Sequence, residues 1–476
     1  MTERPAVLLK PGNAGGGKGP WFKRSVGSSE EARRLGNLST PEKVQELQKA
    51  LHAKAKGEPG YRFYTLYDKM YREDVLAHAY ARGKINAGAA GVDGVRFEDI
   101  ERYGVQRWLG ELALELRKET YQPQAIRRVY IPKPNGTLRP LGIATIRDRV
   151  AQTAAVLVLE SIFEADLPTE QYGYRPQRSA LDAVQQVHSL LNTGHRQVVD
   201  ADLSEYYESI PHSELLQSVA RRVVDRRVLH LIKMWITAPV EEEDEQGGKK
   251  RTTRNRDANR GVPQGSPLSP LLSNLYMRRF VLAWKQMGYE RQFGGCIVTY
   301  ADDLVICCTR QADLALEKMR KIMQRLKLTV NEEKTHLCRV PAEYFDFLGY
   351  TFGRCYSTRT GRAYLGTRPS KKSIKRLIGK IHEQTDRKTC LLDANEMVEK
   401  LNRMLGGWAN YFCLGPVSKA YNTVDRYTNR RLRRWLCRKH RIGSGGYTRF
   451  SAEYLYKTLG LVNLPVLTSN FPWATT

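Results

Sequence analysis

Two apolar runs separated by a short acidic turn constrain the fold of this chain more than any other feature. Cys296–Thr299 precede Tyr300-Ala301-Asp302-Asp303, and Leu304–Cys308 follow it. Both runs are rich in β-branched residues and contain neither glycine nor proline, so they predict two strands joined at a tight hairpin. Two adjacent carboxylates at a hairpin tip repel each other unless a cation neutralises them. The pair therefore predicts either a solvated turn or a site for a divalent ion such as Mg²⁺, which favours carboxylate and phosphate oxygens.

A second predicted strand, Gln197–Leu203, carries acids in alternation with apolar residues. Its period of two places Asp200 and Asp202 on one face and apolar side chains on the other, although Asp200 alone is also compatible with a helix cap. If this strand and the acidic hairpin meet at one end of an antiparallel sheet, Asp202, Asp302 and Asp303 can hold two Mg²⁺ ions about 3.5–4 Å apart. That arrangement is typical of nucleotidyl transfer from a nucleoside triphosphate to a primer 3′-hydroxyl.

Two further features suit a nucleotide substrate. Val129–Pro140 predicts a β-hairpin with Asn135-Gly136 at its tip, and it carries Lys133 on one arm and Arg139 on the other. Two cations on a rigid ribbon can bind a triphosphate, and solvated surface charge is the alternative. Tyr207 follows the second acidic strand, where a planar ring beneath the incoming sugar leaves no room for a 2′-hydroxyl. We therefore expect deoxynucleotides to be favoured.

The charge balance points to a polyanionic partner. Lysine and arginine number 77 against 50 acids, a net charge of +27, and nucleic acid is the partner that this excess fits best. No apolar run approaches the roughly 20 residues that span a bilayer, and no signal peptide opens the chain, so we expect no membrane partner. The eight cysteines show no zinc spacing and predict free thiols in a reducing compartment.

Helices with basic faces are predicted beyond residue 365. One of them concentrates arginines whose mutual repulsion is relieved when phosphates bind, although a solvated face is the alternative. We expect RNA backbone binding by Arg426, Arg430, Arg431, Arg433, Arg434 and Arg438.

Taken in order, these pieces resemble the reverse transcriptases, also called maturases, that bacterial group II introns encode. The resemblance is carried by Gly91-Val92-Asp93-Gly94, Ile131-Pro132-Lys133-Pro134-Asn135-Gly136, Arg139-Pro140-Leu141-Gly142-Ile143, Tyr172-Gly173-Tyr174-Arg175-Pro176, Val199-Asp200-Ala201-Asp202, Pro263-Gln264-Gly265, Tyr300-Ala301-Asp302-Asp303 and Phe347-Leu348-Gly349. Together they span about residues 60 to 440.

The resemblance implies an α+β fold of the right-hand polymerase type, with fingers and a palm built on an antiparallel sheet and then an α-helical thumb or maturase domain. We expect a flexible extension at 1–35, fingers and palm at 36–365, the thumb at 366–442 and a short DNA-binding-like tail at 443–476 without an endonuclease domain. Such an enzyme would have to prime on something other than its own second-strand nick, for example a nascent lagging strand.

The resemblance also implies roles for particular residues. Asp202, Asp302 and Asp303 match catalytic Mg²⁺ ligands. The positions that match nucleotide contacts are Lys133, Arg139 and Gln264. Lys334 matches the lysine that follows the palm motif, and we expect it to contact the nucleotide as well.

The implied function is an RNA-directed DNA polymerase that binds its intron RNA, assists splicing and copies the intron into DNA at a new site. Its partners would be group II intron RNA, an RNA template with a DNA primer, target DNA and deoxynucleoside triphosphates, in the bacterial cytoplasm and at the nucleoid. One alternative is a domesticated relative in DNA repair, phage defence or CRISPR spacer acquisition. Another is a splicing cofactor that binds RNA without catalysis.

Overall fold

The fold combines helices with small sheets. The structure, a computed structural model, describes residues 38–132, 138–243, 248–357 and 360–467. Its α-helices are α1 Glu42–Gly57, α2 Tyr67–Met70, α3 Glu73–Ile85, α4 Phe97–Tyr103, α5 Val105–Arg117, α6 Ile146–Glu164, α7 Ala180–Asn192, α8 Tyr206–Ser209, α9 His212–Ala220, α10 Arg226–Ile236, α11 Arg254–Asp257, α12 Ser269–Gln286, α13 Tyr289–Phe293, α14 Ala312–Arg325, α15 Lys371–Gln384, α16 Ala394–Tyr411, α17 Ser418–Lys439, α18 Gly446–Arg449 and α19 Leu464–Leu467. A 3₁₀ helix covers Arg387–Thr389 and a π-helical turn covers Tyr454–Thr458.

The strands form sheets of two to four members. They are β1 Ile126–Pro132, β2 Leu138–Ile143, β3 Gln197–Ala201, β4 Leu203–Ser204, β5 Val240–Glu243, β6 Lys249–Thr252, β7 Cys296–Tyr300, β8 Asp303–Cys308, β9 Thr329–Val330, β10 His336–Arg339, β11 Phe345–Phe347, β12 Tyr350–Tyr356 and β13 Ala363–Pro369. The sheet orders are β2-β1-β5-β6, β10-β3-β8-β7, β11-β12-β13 and β4-β9.

The sheet that contains the acidic hairpin lies between two hydrophobic cores. All of its neighbouring strands are antiparallel. Val199 belongs to the first core, whereas Val198 and Val305 belong to the second. Because side chains alternate along a strand, the face that carries Val198 also carries Asp200 and, one step past the end of β3, Asp202. The alternation that the sequence predicts for this strand is confirmed.

The two cores draw on different parts of the chain. The first packs the N-terminal helices and α6 against α12 and α14, with Phe163, Tyr276 and Phe280 fully buried. The second packs α7 and the β11-β12-β13 sheet against the long C-terminal helices, with Phe352 and Trp435 fully buried. Since the acidic sheet contributes to both cores, its position is fixed from both faces.

A four-stranded mixed sheet, in the order β2-β1-β5-β6, has a small hydrophobic core of its own. β1 and β2 form the predicted hairpin, with Ile131 opposite Arg139, whereas its tip, including Lys133, lies outside the described residues. β5 adds to β1 in parallel, with Ile126 opposite Val240. β5 pairs with β6 in antiparallel orientation at the edge of this sheet, and residues 244–247 between them lie outside the described residues. Opposite charges face each other across these two strands, because Glu241, Glu242 and Glu243 pair with Arg251, Lys250 and Lys249.

The C-terminal part of the described chain is helical from Lys371 onward, a few residues after β13 ends at Pro369. The predicted basic helices are confirmed, and β13 is a strand that the sequence analysis did not predict. The eight cysteines all lie in the described chain and all are free thiols. Within that same part of the chain, no helix is both long and apolar enough to cross a membrane.

Candidate active site

The acidic hairpin is as tight as its sequence predicts. Tyr300 pairs with Asp303 across β7 and β8, so that only Ala301 and Asp302 form the loop. Ala301 has φ +59°, in the left-handed region that is unfavourable for a residue with a Cβ. The adjacent carboxylates are therefore presented by a loop that has little freedom to rearrange.

The register of the sheet brings the third acid to this loop. Ala201 and Leu304 form the last pair of the β3–β8 ladder, so Asp202 and Asp303 are the next residues on the two strands at that end. The charge of Asp202 acts on both Asp302 and Asp303. Residues opposite each other in an antiparallel ladder have Cα atoms about 4.5–5.5 Å apart. Asp202, Asp302 and Asp303 thus share one end of the sheet, although a hundred residues of sequence separate the first from the others.

Burial and the repulsion between neighbouring carboxylates raise the pKa values of the acids at this site. The surrounding protein, with added repulsion from Asp302 and Asp202, raises the pKa of Asp303 to about 7. Burial also raises the pKa of Asp302, and the nearby Arg139 opposes that shift only in part. Asp200, which lies inside β3 and caps no helix, has its pKa raised to about 7 by burial and by Asp346 and Asp202. The site carries more negative charge than its own cations neutralise.

Asp202 is held by the turn that follows β9. The Lys334 ammonium lies 2.8 Å from Asp202 Oδ2, and the Asn331 side chain donates to the same oxygen over 3.3 Å. The Asn331 backbone N–H donates to the Asp202 carbonyl oxygen over 2.8 Å. Lys334, predicted to contact nucleotide, thus forms an ion pair with one of the acids.

The donor set fits a hard divalent cation. Three carboxylates with unbalanced charge are the oxygen ligands that Mg²⁺ prefers. Across the described residues, however, no three Asp, Glu, His or Cys side chains are already gathered as they are around a bound ion. The Asp202 carboxylate is engaged by Lys334, so a metal would have to compete with that ammonium.

The predicted nucleotide-contacting residues lie on two elements that touch. Arg139 on β2 donates through Nε to Gln264 Oε1 over 3.3 Å. The Gln264 carbonyl accepts from Gly142 N over 2.7 Å, and a Cβ at Gly265 would lie 2.5 Å from the Gly142 carbonyl oxygen. Because Gly265 has no Cβ, the Pro263–Gly265 loop can lie directly against the backbone of β2. Lys133 lies outside the described residues.

Tyr207 is buried at the start of the short helix α8, beside the same loop. Its carbonyl accepts from Val262 N over 2.7 Å, and Ser273 Oγ donates to its hydroxyl over 3.4 Å. The negative charge of Asp302 adds to the effect of burial in raising the pKa of Tyr207. The ring therefore lies within electrostatic reach of the acidic hairpin.

The six predicted RNA-binding arginines on α17 divide into three groups. Arg426, Arg430, Arg434 and Arg438 are exposed and recur every four residues, which aligns them along one side of the helix. Arg433 is half-buried, and its guanidinium donates to the Phe450 carbonyl oxygen over 2.8 Å.

Arg431 differs from the prediction. It is buried, and it donates to the Thr385 hydroxyl, the Thr385 carbonyl and the His382 carbonyl at the end of α15. Its charge joins two helices, because the carbonyls at a helix end accept hydrogen bonds from cations.

The sequence analysis missed two residues that contact the predicted site. Asn331 holds Asp202 from both its backbone and its side chain, and only its place in a turn before a lysine hinted at this. The Tyr174 ring packs against the Tyr300 ring with centroids 6.3 Å apart, and in the sequence it stands out only as part of the Tyr172–Pro176 motif. Neither contact follows a sequence period, since each depends on how loops fold back onto the sheet.

Two family models match the chain. The model described as "Reverse transcriptase (RNA-dependent DNA polymerase)" matches residues 131–352, which contain all three acids, Arg139 and Gln264. The model described as "Group II intron, maturase-specific domain" matches residues 374–452, which contain α16 and α17. The class of protein that this fold and this site define is an RNA-directed DNA polymerase.

Relatives narrow the class to a family. Protein YkfC of Escherichia coli (strain K12) is 32% identical over 373 residues, which cover 69% of this chain and 93% of that protein. The group II intron-encoded protein LtrA of Lactococcus lactis subsp. cremoris is 29% identical over 276 residues, 57% of this chain and 42% of LtrA. Nuclear intron maturase 2, mitochondrial, of Arabidopsis thaliana is 27% identical over 110 residues, 23% of this chain and 15% of that protein. The chain belongs to the reverse transcriptases and maturases that group II introns encode.

Proposed function

We propose that Asp202, Asp302 and Asp303 form the catalytic centre of this polymerase and that it copies intron RNA into DNA from deoxynucleoside triphosphates. The observation that supports the proposal is the β3–β8 ladder, whose last pair, Ala201 and Leu304, is adjacent to Asp202 on one strand and Asp303 on the other. Three acids at one sheet end in a chain of net charge +27 have their simplest explanation in metal binding.

In this proposal the three carboxylates hold Mg²⁺. Bound there, the metal would lower the pKa of the primer 3′-hydroxyl and neutralise the charge that develops on the leaving pyrophosphate. The chain's own part is positioning, because phosphoryl transfer relies mainly on alignment and charge. The tight loop would fix Asp302 and Asp303, and Lys334 would orient the Asp202 carboxylate through their ion pair.

The substrate side of the proposal rests on the β2 and Gln264 contacts. Arg139, with Lys133 from the same hairpin, would bind the triphosphate, and Gln264 would orient the Arg139 guanidinium through the hydrogen bond between them. Tyr207 would pack beneath the sugar and exclude a 2′-hydroxyl. Lys334 would be a further cation near the nucleotide.

The RNA side of the proposal rests on the four exposed arginines of α17, Arg426, Arg430, Arg434 and Arg438. Spaced along one side of a helix, they suit contacts with successive phosphates of a structured RNA. We propose that residues 366–442 act as the thumb and maturase domain, which binds group II intron RNA and assists its splicing. Residues 36–365 would then act as fingers and palm, and retrohoming would bring the enzyme to target DNA in the cytoplasm, at the nucleoid.

Primer extension on an RNA template with Mg²⁺ and deoxynucleotides tests the catalytic centre. Asp302→Ala should abolish synthesis and leave RNA affinity within about two-fold of wild type, because it removes one ligand without changing the basic surfaces. Asp313→Asn, an exposed acid on α14, is the matched control and should retain full activity. Equal synthesis by Asp302→Ala and wild type would overturn the proposed centre.

A further inference from the structure

The sheet formed by β11, β12 and β13 buries one of its faces in the second core and turns the other face outward. The inner face contributes Phe345 and Phe352, which are opposite each other, to that core. Side chains alternate along a strand, and residues opposite each other share a face, so the positions between the core residues lie on the outer face. On β12 and β13 this outer face consists of Thr351, Gly353 and Cys355 with their partners Arg368, Gly366 and Tyr364.

Two tyrosine rings lie on a pair of glycines at the centre of the outer face. Gly353 is directly opposite Gly366. A Cβ at Gly353 would collide with the Tyr344 ring, and a Cβ at Gly366 would lie 2.9 Å from Tyr364 Cε2. The Tyr344 hydroxyl donates to the Arg354 carbonyl over 3.4 Å, so its ring extends along the backbone of β12. The glycine pair thus lets both rings lie close to the sheet.

Both rings remain partly open to water. Tyr344 is 48% exposed and Tyr364 is 39% exposed. A single exposed aromatic residue needs no explanation, but two aromatic rings beside each other on one glycine-lined face form a flat apolar surface. A planar ligand can cover such a surface by stacking, which removes the rings from water without any change in the sheet.

Positive charge accompanies the two rings. The Arg368 guanidinium lies over the Tyr344 ring, 5.2 Å from its centroid. Arg362, two residues before Tyr364 and exposed, adds a second cation. At the other end of the outer face the Asp346 carboxylate accepts from the Thr351 hydroxyl and lies 3.9 Å from the Lys372 ammonium. The surface that the tyrosines form is therefore both aromatic and basic.

This combination fits unpaired bases of RNA. Bases stack on aromatic rings whatever their identity, and cations beside the rings neutralise the phosphates that connect the bases. A regular double helix keeps its bases stacked on one another and offers mainly backbone, so it gains little from exposed rings. The net charge of +27 and the match to RNA-directed polymerases make RNA the polyanion that this chain meets.

We propose that the outer face of β12 and β13 is a binding site for single-stranded RNA, in which Tyr344 and Tyr364 stack on bases while Arg362 and Arg368 contact phosphates. The site is separate from the three acids and from the exposed arginines of α17. The inference rests on the proposed function for its partner, RNA, and it adds contacts with bases to the phosphate contacts of α17.

Fluorescence anisotropy with the full-length protein tests the site, and the probe is an unstructured oligouridylate of about 12 nucleotides. Tyr344→Leu and Tyr364→Leu should each weaken binding of this probe about five-fold or more, since base–aromatic stacking is lost while the glycine stays covered. Tyr344→Phe and Tyr364→Phe should bind within about two-fold of wild type, because stacking needs the ring and not the hydroxyl.

Tyr356 provides a matched control. It is 61% exposed and lies on β12, but the alternation of the strand places it on the face opposite to that of Gly353. Tyr356→Leu should therefore bind the oligouridylate as wild type does. A blunt RNA duplex should bind wild type and all five variants with equal affinity, because it contacts the basic helices through its phosphates.

Each outcome decides the question. Wild-type affinity for the oligouridylate in both leucine variants would overturn the inference and leave the proposed catalytic centre intact. Losses in the phenylalanine variants as large as in the leucine variants would overturn stacking, and an equal loss in Tyr356→Leu or for the duplex would overturn a site on this face. Primer extension by wild type is measured separately, and its absence would overturn the proposed function whatever the probe shows. Thermal unfolding of each variant confirms that folded protein is compared.

Discussion

Asp303 makes stability depend on pH in an unusual direction. Although Asp303 is exposed to solvent, the protein packed around its carboxyl, and then the charges of Asp302 and Asp202, raise the pKa of this group from an ordinary 3.8 to about 7 in the folded chain. Between these values the folded state binds more protons than the unfolded state, so the free energy of unfolding falls as the pH rises from about 4 to about 7. In the protein without bound metal, the contribution of Asp303 to the free energy of unfolding is therefore least favourable above about pH 7.

Asp303→Asn should therefore raise the Tm of the protein in EDTA at pH 8, and the difference from wild type should shrink as the pH is lowered to 5. In saturating Mg²⁺ the order should reverse, because a ligand that binds only the folded state stabilises it and the variant lacks one of the proposed metal ligands. Thermal unfolding followed by circular dichroism measures both effects. Asp313→Asn serves as control, and a lower Tm for Asp303→Asn at pH 8 in EDTA would contradict the proposed repulsion.

For single residues, the sequence predicts the position of a side chain where a strand or helix repeat fixes it. It does not predict contacts that loops or crossing helices make. The alternation at 197–203 is enough to place Asp200 and Asp202 on one face, as the structure confirms. Tyr174 and Asn331 contact the site through loops, whose paths depend on long-range packing that leaves no local pattern. The same holds for Arg431, whose burial against α15 depends on how two helices cross.

Among the elements, α17 carries arginines in two different environments. Arg430 and Arg434 lie on the exposed stripe of α17, whereas Arg431 donates three hydrogen bonds to the end of α15. Arginines on one helix thus lie either exposed to solvent or buried against a neighbouring helix. The sequence alone does not distinguish the two environments, because six arginines spread over thirteen positions cover several faces of the helix.

The double variant Arg430→Ala/Arg434→Ala should weaken RNA binding and reduce the slope of log affinity against log salt by about 1.4–1.8, because two phosphate contacts are lost. Its Tm should stay close to that of wild type. Arg431→Ala should do the opposite, lowering the Tm and leaving the salt slope unchanged, since the removed cation satisfies buried carbonyls. Filter binding at several salt concentrations, with thermal unfolding, gives both quantities. Equal salt slopes in all three proteins would contradict a role for the stripe.

Elements were easier to predict than the way they join. The sequence predicts the β7–β8 hairpin, the β1–β2 hairpin and the basic helices, since each has a strong local period or turn signal. It does not predict that β5 pairs with β1, nor that β13 completes the β11-β12 hairpin. Among the described residues, the small core beside β1 and β5 consists of Ile126, Ala238 and Val240, and so small a core leaves little trace in the sequence.

At the scale of the whole molecule, the acidic sheet depends on the C-terminal helices. Val198, Val305 and Cys307 on one face of the sheet belong to the same core as Leu401 and Leu405 of α16. The reverse transcriptase and maturase-specific matches meet in this core, so we expect the stability of the acidic sheet and that of the basic helices to be coupled. This is why the register that brings Asp202 to Asp303 is held from both sides.

Leu401→Ala should therefore destabilise the polymerase part as well as the helix that contains it. Leu401 is fully buried, and the cavity left by such a change costs about 2–5 kcal/mol. We expect urea unfolding by circular dichroism and loss of primer extension to shift together to lower urea, in one transition, with faster hydrogen exchange at β3 and β8. Leu391→Ala, at a side chain 95% exposed, should change neither. A variant in which the helices unfold first while the β3 and β8 amides keep their protection would contradict the shared core, because the sheet would then be stable on the first core alone.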